Sequence, residues 1–397
     1  MRIALMGDFD TYLLRGLERP QELLPYRLSP GSNLLRGFRE LGVGVKDIHI
    51  LVDTPEVKQV AIEEGPLGIL HRLPCPRFSG SACFHLWRRH ALLRELGRIQ
   101  PDILHGHGTE AEYAFTAVTS PYPNVITFHG IMHRVQEIVP PPVLSTRHVA
   151  RWLEKLVARK ARHVISLSQE VETFLREQRS PARCHRIPNA VGPWFFEIQP
   201  MRRGDGTRVL LFVGTIYPLK GLLELVEALA GLQGMVSQDI VLRVIGPEAG
   251  GDYAARVRRR AQELGVDKQI EWLGIRSEHG VSDALARSDI FVLPSFMENM
   301  PMCIAEAFAA GVPVVSTTAG GIPNWVEDGK TGLLVAPGDS KELARALGTL
   351  LQDESLRNRL GSAGRARALA DYYPRVVAAK TLEVYETILR EPASRQA

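Results

Sequence analysis

Asp289–Gly321 reads DIFVLPSFMENMPMCIAEAFAAGVPVVSTTAGG. Its first five residues, Asp289-Ile290-Phe291-Val292-Leu293, form a short apolar run, which predicts a strand buried in a parallel sheet. Pro294-Ser295 ends that strand. The loop Phe296–Pro301 carries Glu298, and Met302–Ala310 predicts a helix carrying Glu306 in its first turns. Gly311-Val312-Pro313 stops the helix and Val314-Val315 opens the next strand. The result is a strand–loop–helix–strand unit with one carboxylate in the loop and one on the helix. In open α/β sheets, ligands sit beyond the carboxyl ends of the strands, where this loop lies. The amides of Asn299, Met300 and the helix start can face an anion there.

Read as a whole, Pro294, Ser295, Glu298, Asn299, Pro301, Glu306, Ala307, Gly311, Pro313 and Val314 resemble the signature of glycosyltransferase family 4. That signature is two glutamates separated by seven residues, in a P-S-x-x-E-N-x-P…E-A-x-A-x-G-x-P-V context. Two glutamates at this spacing occur often by chance. The setting, followed by Gly320-Gly321-Ile322-Pro323 and Asp328-Gly329-Lys330-Thr331-Gly332, makes the match specific. The resemblance implies a GT-B fold, an α/β architecture of two Rossmann-like domains facing a cleft. It also implies retaining transfer of a sugar from a nucleotide-sugar donor.

Composition sets the bounds. The chain has 397 residues, 45% hydrophobic and 23% charged, an ordinary soluble composition with room for two or three domains. A net charge of +4 is too mild to argue for nucleic acid. Residues 1–198 hold 25 Lys and Arg against 20 Asp and Glu, so an acidic or membrane-surface partner should meet the N-terminal half. Cys75, Cys83, Cys184 and Cys303 form no C-x-x-C pair, and a reducing cytoplasm is the expected setting. Met1–Met6 reaches Asp8 too soon for a signal peptide, and no apolar run approaches membrane-spanning length.

Along the chain, Ile3–Met6 predicts a first strand and Leu34–Leu41 a helix. Pro30-Gly31-Ser32-Asn33 precedes that helix. The resemblance places Gly31 and Ser32 near the acceptor and donor phosphates, although the family's paired glycines are absent; a helix-capping turn is the alternative. Pro101–His107 reads as a strand and turn matching the family's P-D-x-x-H-x-H, which puts His105 and His107 in the cleft. As metal ligands they lack a third residue at a convincing spacing. Val125–Phe128 is a strand ending at His129-Gly130, and the family's histidine here sits beside the anomeric centre; a hydrogen-bonded core histidine is the alternative. Arg147–His163 predicts an amphipathic helix. Trp152, Leu153, Leu156 and Val157 form its apolar stripe, and Arg151, Lys155, Arg159 and Arg162 a basic face. That face suits anionic lipid or plain solvent. Arg88, Arg89, Arg94 and Arg98 suggest a second basic helix.

Ile187–Val191 resembles the I-P-N-G-V that closes the family's first domain. The polar Met201–Gly206 marks the boundary, giving domains at 1–198 and 199–375, with a helix over 376–397 returning to the first. In the second domain, Val209–Val213 is a strand followed by Gly214-Thr215 and Lys220-Gly221. A glycine turn with a lysine at the next helix suits a diphosphate. The family often has arginine where Thr215 stands. Val241–Ile245 ends at Gly246, and Ile270–Leu273 leads to Arg276, which the family would place near the nucleotide base.

These readings assign Lys220, Gly214 and the Asn299–Pro301 loop to the leaving diphosphate, Glu306 to ribose and Glu298 to the sugar, with His129 as the further catalytic candidate. Neither glutamate is assigned as a nucleophile. The expected partners are a UDP- or GDP-linked sugar and a glycan, lipid-linked or small-molecule acceptor, with no metal and no separate cofactor required. The expected location is cytoplasmic, with peripheral contact at an anionic membrane. A sugar-nucleotide epimerase of the same fold and a non-catalytic sugar-nucleotide-binding subunit are the rival classes. An oxidoreductase is disfavoured, since no G-x-G-x-x-G follows the first strand of either domain.

Overall fold

Most apolar runs of four to seven residues, separated by glycine turns and helices, become parallel strands. A computed structural model describes residues 1–17, 30–75, 82–109, 112–138, 147–201 and 206–392. Of the polar boundary at Met201–Gly206, positions 202–205 lie outside the described residues. The chain divides into two units. One holds the N-terminal segment up to Ala190 and resumes at Pro374; the other holds Val191–Tyr373.

The first unit has strands β1 (Ile3–Met6), β2 (Ile48–Thr54), β3 (Ala61–Gly65), β4 (Gly68–Pro74), β5 (Ile103–His107), β6 (Asn124–Phe128), β7 (His163–Ser166) and β8 (Arg183–Arg186). They form one sheet in the order β3-β4-β2-β1-β5-β6-β7-β8, parallel except for the β3–β4 hairpin. Alternate side chains of β1 serve opposite faces. Ile3 and Leu5 join a core with Leu35, Phe38, Val377 and Tyr385, while Ala4 and Met6 join one with Leu92, Leu104 and Phe128.

The helix expected over Leu34–Leu41 starts four residues earlier and spans Pro30–Glu40. Proline suits a helix start, where its missing N–H costs nothing. Gly31 and Ser32 are therefore helical and not in a loop. A Cβ on Gly31 would stand 2.2 Å from the Phe9 ring, so close packing explains the glycine. The returning helix spans Pro374–Leu389 and lies against Pro30–Glu40, where a Cβ on Gly37 would meet the Pro374 carbonyl at 2.1 Å.

The second unit has strands β9 (Arg208–Val213), β10 (Ile240–Ile245), β11 (Ile270–Gly274), β12 (Ile290–Leu293), β13 (Val314–Thr317) and β14 (Gly332–Val335). All are parallel, in the order β11-β10-β9-β12-β13-β14. Counted within the unit this is 3-2-1-4-5-6, the doubly wound order whose switch point lies between its first and fourth strands. Those strands are β9 and β12.

Two surface expectations change. The basic helix ends at Lys160, and His163 is buried in β7. Trp152, expected on its apolar stripe, is 61% exposed. The buried face instead includes Glu154, which accepts the amides of Met132 (2.8 Å) and His133 (2.9 Å) and so caps the helix Met132–Ile138. In the second basic helix, Ala82–Ile99, Arg88 and Arg98 are ion-paired within the unit. Arg88 pairs with Asp53 and with Glu112 (2.8 Å), Arg89 donates to Thr119, and Arg98 pairs with Glu95. Among the described residues, no helix is long and apolar enough to cross a membrane.

Candidate functional site

The switch point of the second unit gathers most of the expected donor residues. β9 runs into Gly214 and Thr215, and then into the short turn Pro218–Lys220. Gly221 follows with φ 69°, where a Cβ would lie 2.0 Å from the Pro294 carbonyl oxygen. That approach, with the Phe296 amide donating to the Leu219 carbonyl (2.8 Å), stitches the loop after β9 to the loop after β12. The consequence is a contact that spacing alone does not reveal. Lys220 Nζ lies 2.5 Å from Glu298 Oε1, and Ser295 Oγ donates to the same oxygen at 2.8 Å.

Burial lowers the proton affinity of Lys220, but the Glu298 carboxylate overrides it and holds the ammonium above its ordinary value. The lysine is thus a fixed cation at neutral pH. The Glu298 backbone is fixed too. Its carbonyl accepts the Gly321 amide at 2.8 Å, and Gly320, at φ 52°, approaches so closely that a Cβ would meet that carbonyl at 2.3 Å. Trp325 Nε1 donates to the Asn299 carbonyl (3.2 Å), Met300 is buried, and Pro301 begins the helix Met302–Ala309 without a side-chain cap. The first amides of a helix lack intrahelical partners and favour an anion.

Glu306 sits on the second turn of that helix, 1% exposed. Cys303 is on the same helix, its thiol pushed well above the ordinary range by burial first and by the Glu298 charge second, with Lys220 opposing. Gly246, after β10, has φ 147°, and a Cβ there would lie 1.9 Å from the Gly214 carbonyl. Gly246 therefore supports the turn by letting two backbones touch. Arg276 stands apart. It follows β11, two strands from β9 and so about 10 Å across the sheet, and its guanidinium turns back to the Ile275 carbonyl at 3.0 Å.

In the first unit, three expected histidines stand together at the carboxyl ends of β5 and β6. His105 is 1% exposed, and its two nitrogens reach Tyr385 Oη (2.6 Å) and Thr127 Oγ1 (2.7 Å). Both nitrogens are engaged within the unit. His107 stacks on His105, and its Nδ1 lies 3.1 Å from His129 Nε2. Burial pushes His105 down to about 3, and burial with the neighbouring His105 and His129 pushes His107 well below the usual range. His105 and His107 are thus neutral at pH 7. His107 also meets the edge of Phe9, the ring that Gly31 accommodates. Ser32 is 4% exposed, and its hydroxyl has no hydrogen-bond partner among the described residues.

Ser295, Trp325, Thr127 and Tyr385 carry positions that sequence reasoning left without a role. Ser295 stood in the signature already, and its spacing of three from Glu298 was the available signal. Nothing in the sequence ties Tyr385 to His105, 280 residues away.

Comparison with known proteins speaks to the family and the fold. Residues 32–193 match the family model for Glycosyltransferase Family 4, and residues 196–367 match that for Glycosyl transferases group 1. The chain is 29% identical over 284 residues to MMP alpha-(1->4)-mannosyltransferase of Mycolicibacterium hassiacum, covering 69% of this chain and 67% of that protein. It is 39% identical over 158 residues to D-inositol 3-phosphate glycosyltransferase of Corynebacterium glutamicum, covering 39% of this chain and only 38% of that protein. Among solved structures, sucrose-phosphate synthase from Thermosynechococcus elongatus is similar with a TM-score of 0.76 at 20% identity, over 98% of both chains. Anabaena Alr3699/HepE in complex with UDP and glucose is similar with a TM-score of 0.72 at 17% identity, over 98% of this chain and 100% of that one. The structural likenesses speak for the fold. Two adjoining family matches, over residues 32–193 and 196–367, mean that the chain belongs to the family 4 type of GT-B glycosyltransferases.

Proposed function

We propose that the protein transfers a hexosyl group, with retention of anomeric configuration, from a UDP- or GDP-linked sugar to a carbohydrate-bearing, lipid-linked or small-molecule acceptor. The observation that carries this reading is the meeting of Lys220 and Glu298 at 2.5 Å, beside an uncapped helix start at the switch point of a parallel sheet. A departing diphosphate develops negative charge and needs a fixed cation and backbone amides. Lys220 and the amides from Asn299 to the helix start suit that need. In this reading Glu298 serves sugar hydroxyls, Glu306 the ribose and His129 the reacting sugar. His107 holds His129 in orientation. Relatives named as mannosyl- and glycosyltransferases support transfer, and no observation favours an epimerase. A screen of UDP- and GDP-sugars with candidate acceptors, following nucleoside diphosphate release and the anomeric proton signal by NMR, tests it. Release with an α-linked product from an α-linked donor is expected. No release with any donor would overturn the activity, and a β-linked product would overturn retention.

We also propose that the helix Arg147–Lys160 rests on anionic lipid. Trp152 is exposed, and Lys155 and Arg159 follow it at helical spacing on the same side. Sedimentation with vesicles of phosphatidylglycerol and phosphatidylcholine should show binding that Trp152→Ala and Arg159→Glu weaken. Equal sedimentation with neutral vesicles would remove the proposal.

A further inference from the structure

Lys220 is engaged before any donor arrives. Its ammonium lies 2.5 Å from Glu298 Oε1, and Ser295 Oγ holds that oxygen from the other side at 2.8 Å. The backbone of Glu298 is pinned by Gly320 and Gly321, so the carboxylate does not leave the site by loop movement at small cost. A nucleoside diphosphate that reaches Lys220 must therefore share the cation with a carboxylate. Thr215 stands in the turn where an arginine would give a second charge, which sharpens the competition. An intact nucleotide sugar differs from its nucleoside diphosphate in one respect that matters here. Its sugar hydroxyls can donate to Glu298 and draw the carboxylate away from the lysine.

We infer that Glu298 acts as a resident counter-ion that expels the product: sugar hydroxyls hold it off Lys220 while the donor is intact, and once the sugar has left it returns to the lysine and displaces the nucleoside diphosphate. The inference rests on the donor-site reading above and adds the order of events at that site. No bond to protein forms or breaks. The carboxylate stays ionised and the lysine stays protonated, so only the ion-pair partner changes. The site then discriminates between donor and product by the sugar, although both carry the same diphosphate.

The test is titration calorimetry of the full chain with UDP and with GDP, on the wild type, Glu298→Gln, Glu298→Asp and Lys220→Met. Glu298→Gln keeps size and a hydrogen-bond acceptor for Ser295 but removes the charge. It should bind the nucleoside diphosphate more tightly, by roughly fivefold or more, and show stronger product inhibition with a lower turnover. Glu298→Asp keeps the charge and should remain within about twofold of wild type. Lys220→Met should lose most of the affinity. Equal or weaker binding of the diphosphate by Glu298→Gln would overturn the inference, because the carboxylate would then be helping the lysine hold phosphate. A wild type that binds neither UDP nor GDP would overturn the donor-site reading itself, and this inference with it.

Discussion

His107 and His129 end neighbouring strands with their rings 17° from parallel, the Nδ1 of the first 3.1 Å from the Nε2 of the second. Since His107 is held neutral by burial, one of this pair donates and the other accepts, and that choice fixes the orientation of His129. His129→Ala is expected to lower kcat by roughly tenfold to a thousandfold, with nucleoside diphosphate affinity near wild type. His107→Asn keeps a polar group near the δ-nitrogen position and should retain more turnover than His107→Phe. Steady-state kinetics beside calorimetry read both effects. Full activity in His129→Ala would make it a structural residue.

The histidine stack also predicts acid sensitivity. His105 is held at about 3, while the unfolded chain takes up a proton near 6.5. The folded value is depressed, so its contribution is intact above pH 6.5 and is lost progressively as pH falls from there toward 3. At pH 5 the loss from His105 is about 2 kcal/mol. Urea unfolding at pH 7.5 and pH 5 should show the difference, and His105→Gln should flatten the dependence while lowering stability at neutral pH. An unchanged pH slope in that variant would contradict the assignment.

Lys220 and Thr215 predict a rescue. Lys220→Ala should reduce kcat/KM by a hundredfold or more, a size typical of losing one preorganised charge donor. Thr215→Arg in that background should restore part of the loss by returning positive charge to the same turn, with the forked guanidinium reaching two phosphate oxygens. Arg276 is about two strand spacings away and folded onto its own backbone, so Arg276→Ala should not reproduce the Lys220 defect. Only a few-fold loss in Lys220→Ala would mean that another cation carries the diphosphate.

Glu306 predicts a binding defect without a charge-relay defect. Its carboxylate is buried on the second turn of the helix Met302–Ala309. A charge-assisted bond to ribose is worth roughly 1.5–3 kcal/mol, so Glu306→Ala should weaken nucleoside diphosphate binding about tenfold or more. The deoxyribose analogue should show little further loss in that variant. Unchanged affinity would separate Glu306 from the ribose.

Strands β1, β5, β6, β7, β9, β10, β11 and β12, the start of β13, the glycine turns, the Glu298 loop and the Glu306 helix were legible because strands buried on both faces are apolar runs whose exits need glycine or proline. Strands β2, β3, β4, β8 and β14 were not read, and of these β3 and β8 are polar strands at the sheet edges. What escaped was set by contacts between distant segments. Gly31 looked like a loop residue, but the ring of Phe9, not turn geometry, forbids a side chain there. Trp152 fell on an apolar stripe by periodicity, yet the amides of Met132 and His133 demand a carboxylate on the buried face, and Glu154 supplies it. Arg88 looked like one of a surface row, and two carboxylates draw it inward. Ser295 and Lys220 meeting on one oxygen of Glu298 required the Gly221–Pro294 approach, which no local pattern encodes.

The helix Pro374–Leu389 belongs to the first unit although the whole second unit precedes it in the chain. On the ribosome, Val377, Tyr385 and Ile388 therefore emerge only after Val191–Tyr373 has been made. Until then Leu35 and Phe38 lack their covering helix, and His105 lacks the Tyr385 hydroxyl. The second unit can close its sheet during synthesis, while the first must wait until Pro374–Leu389 has emerged. A nascent chain stalled before Pro374 should accordingly resist protease in its second half and be cut in its first.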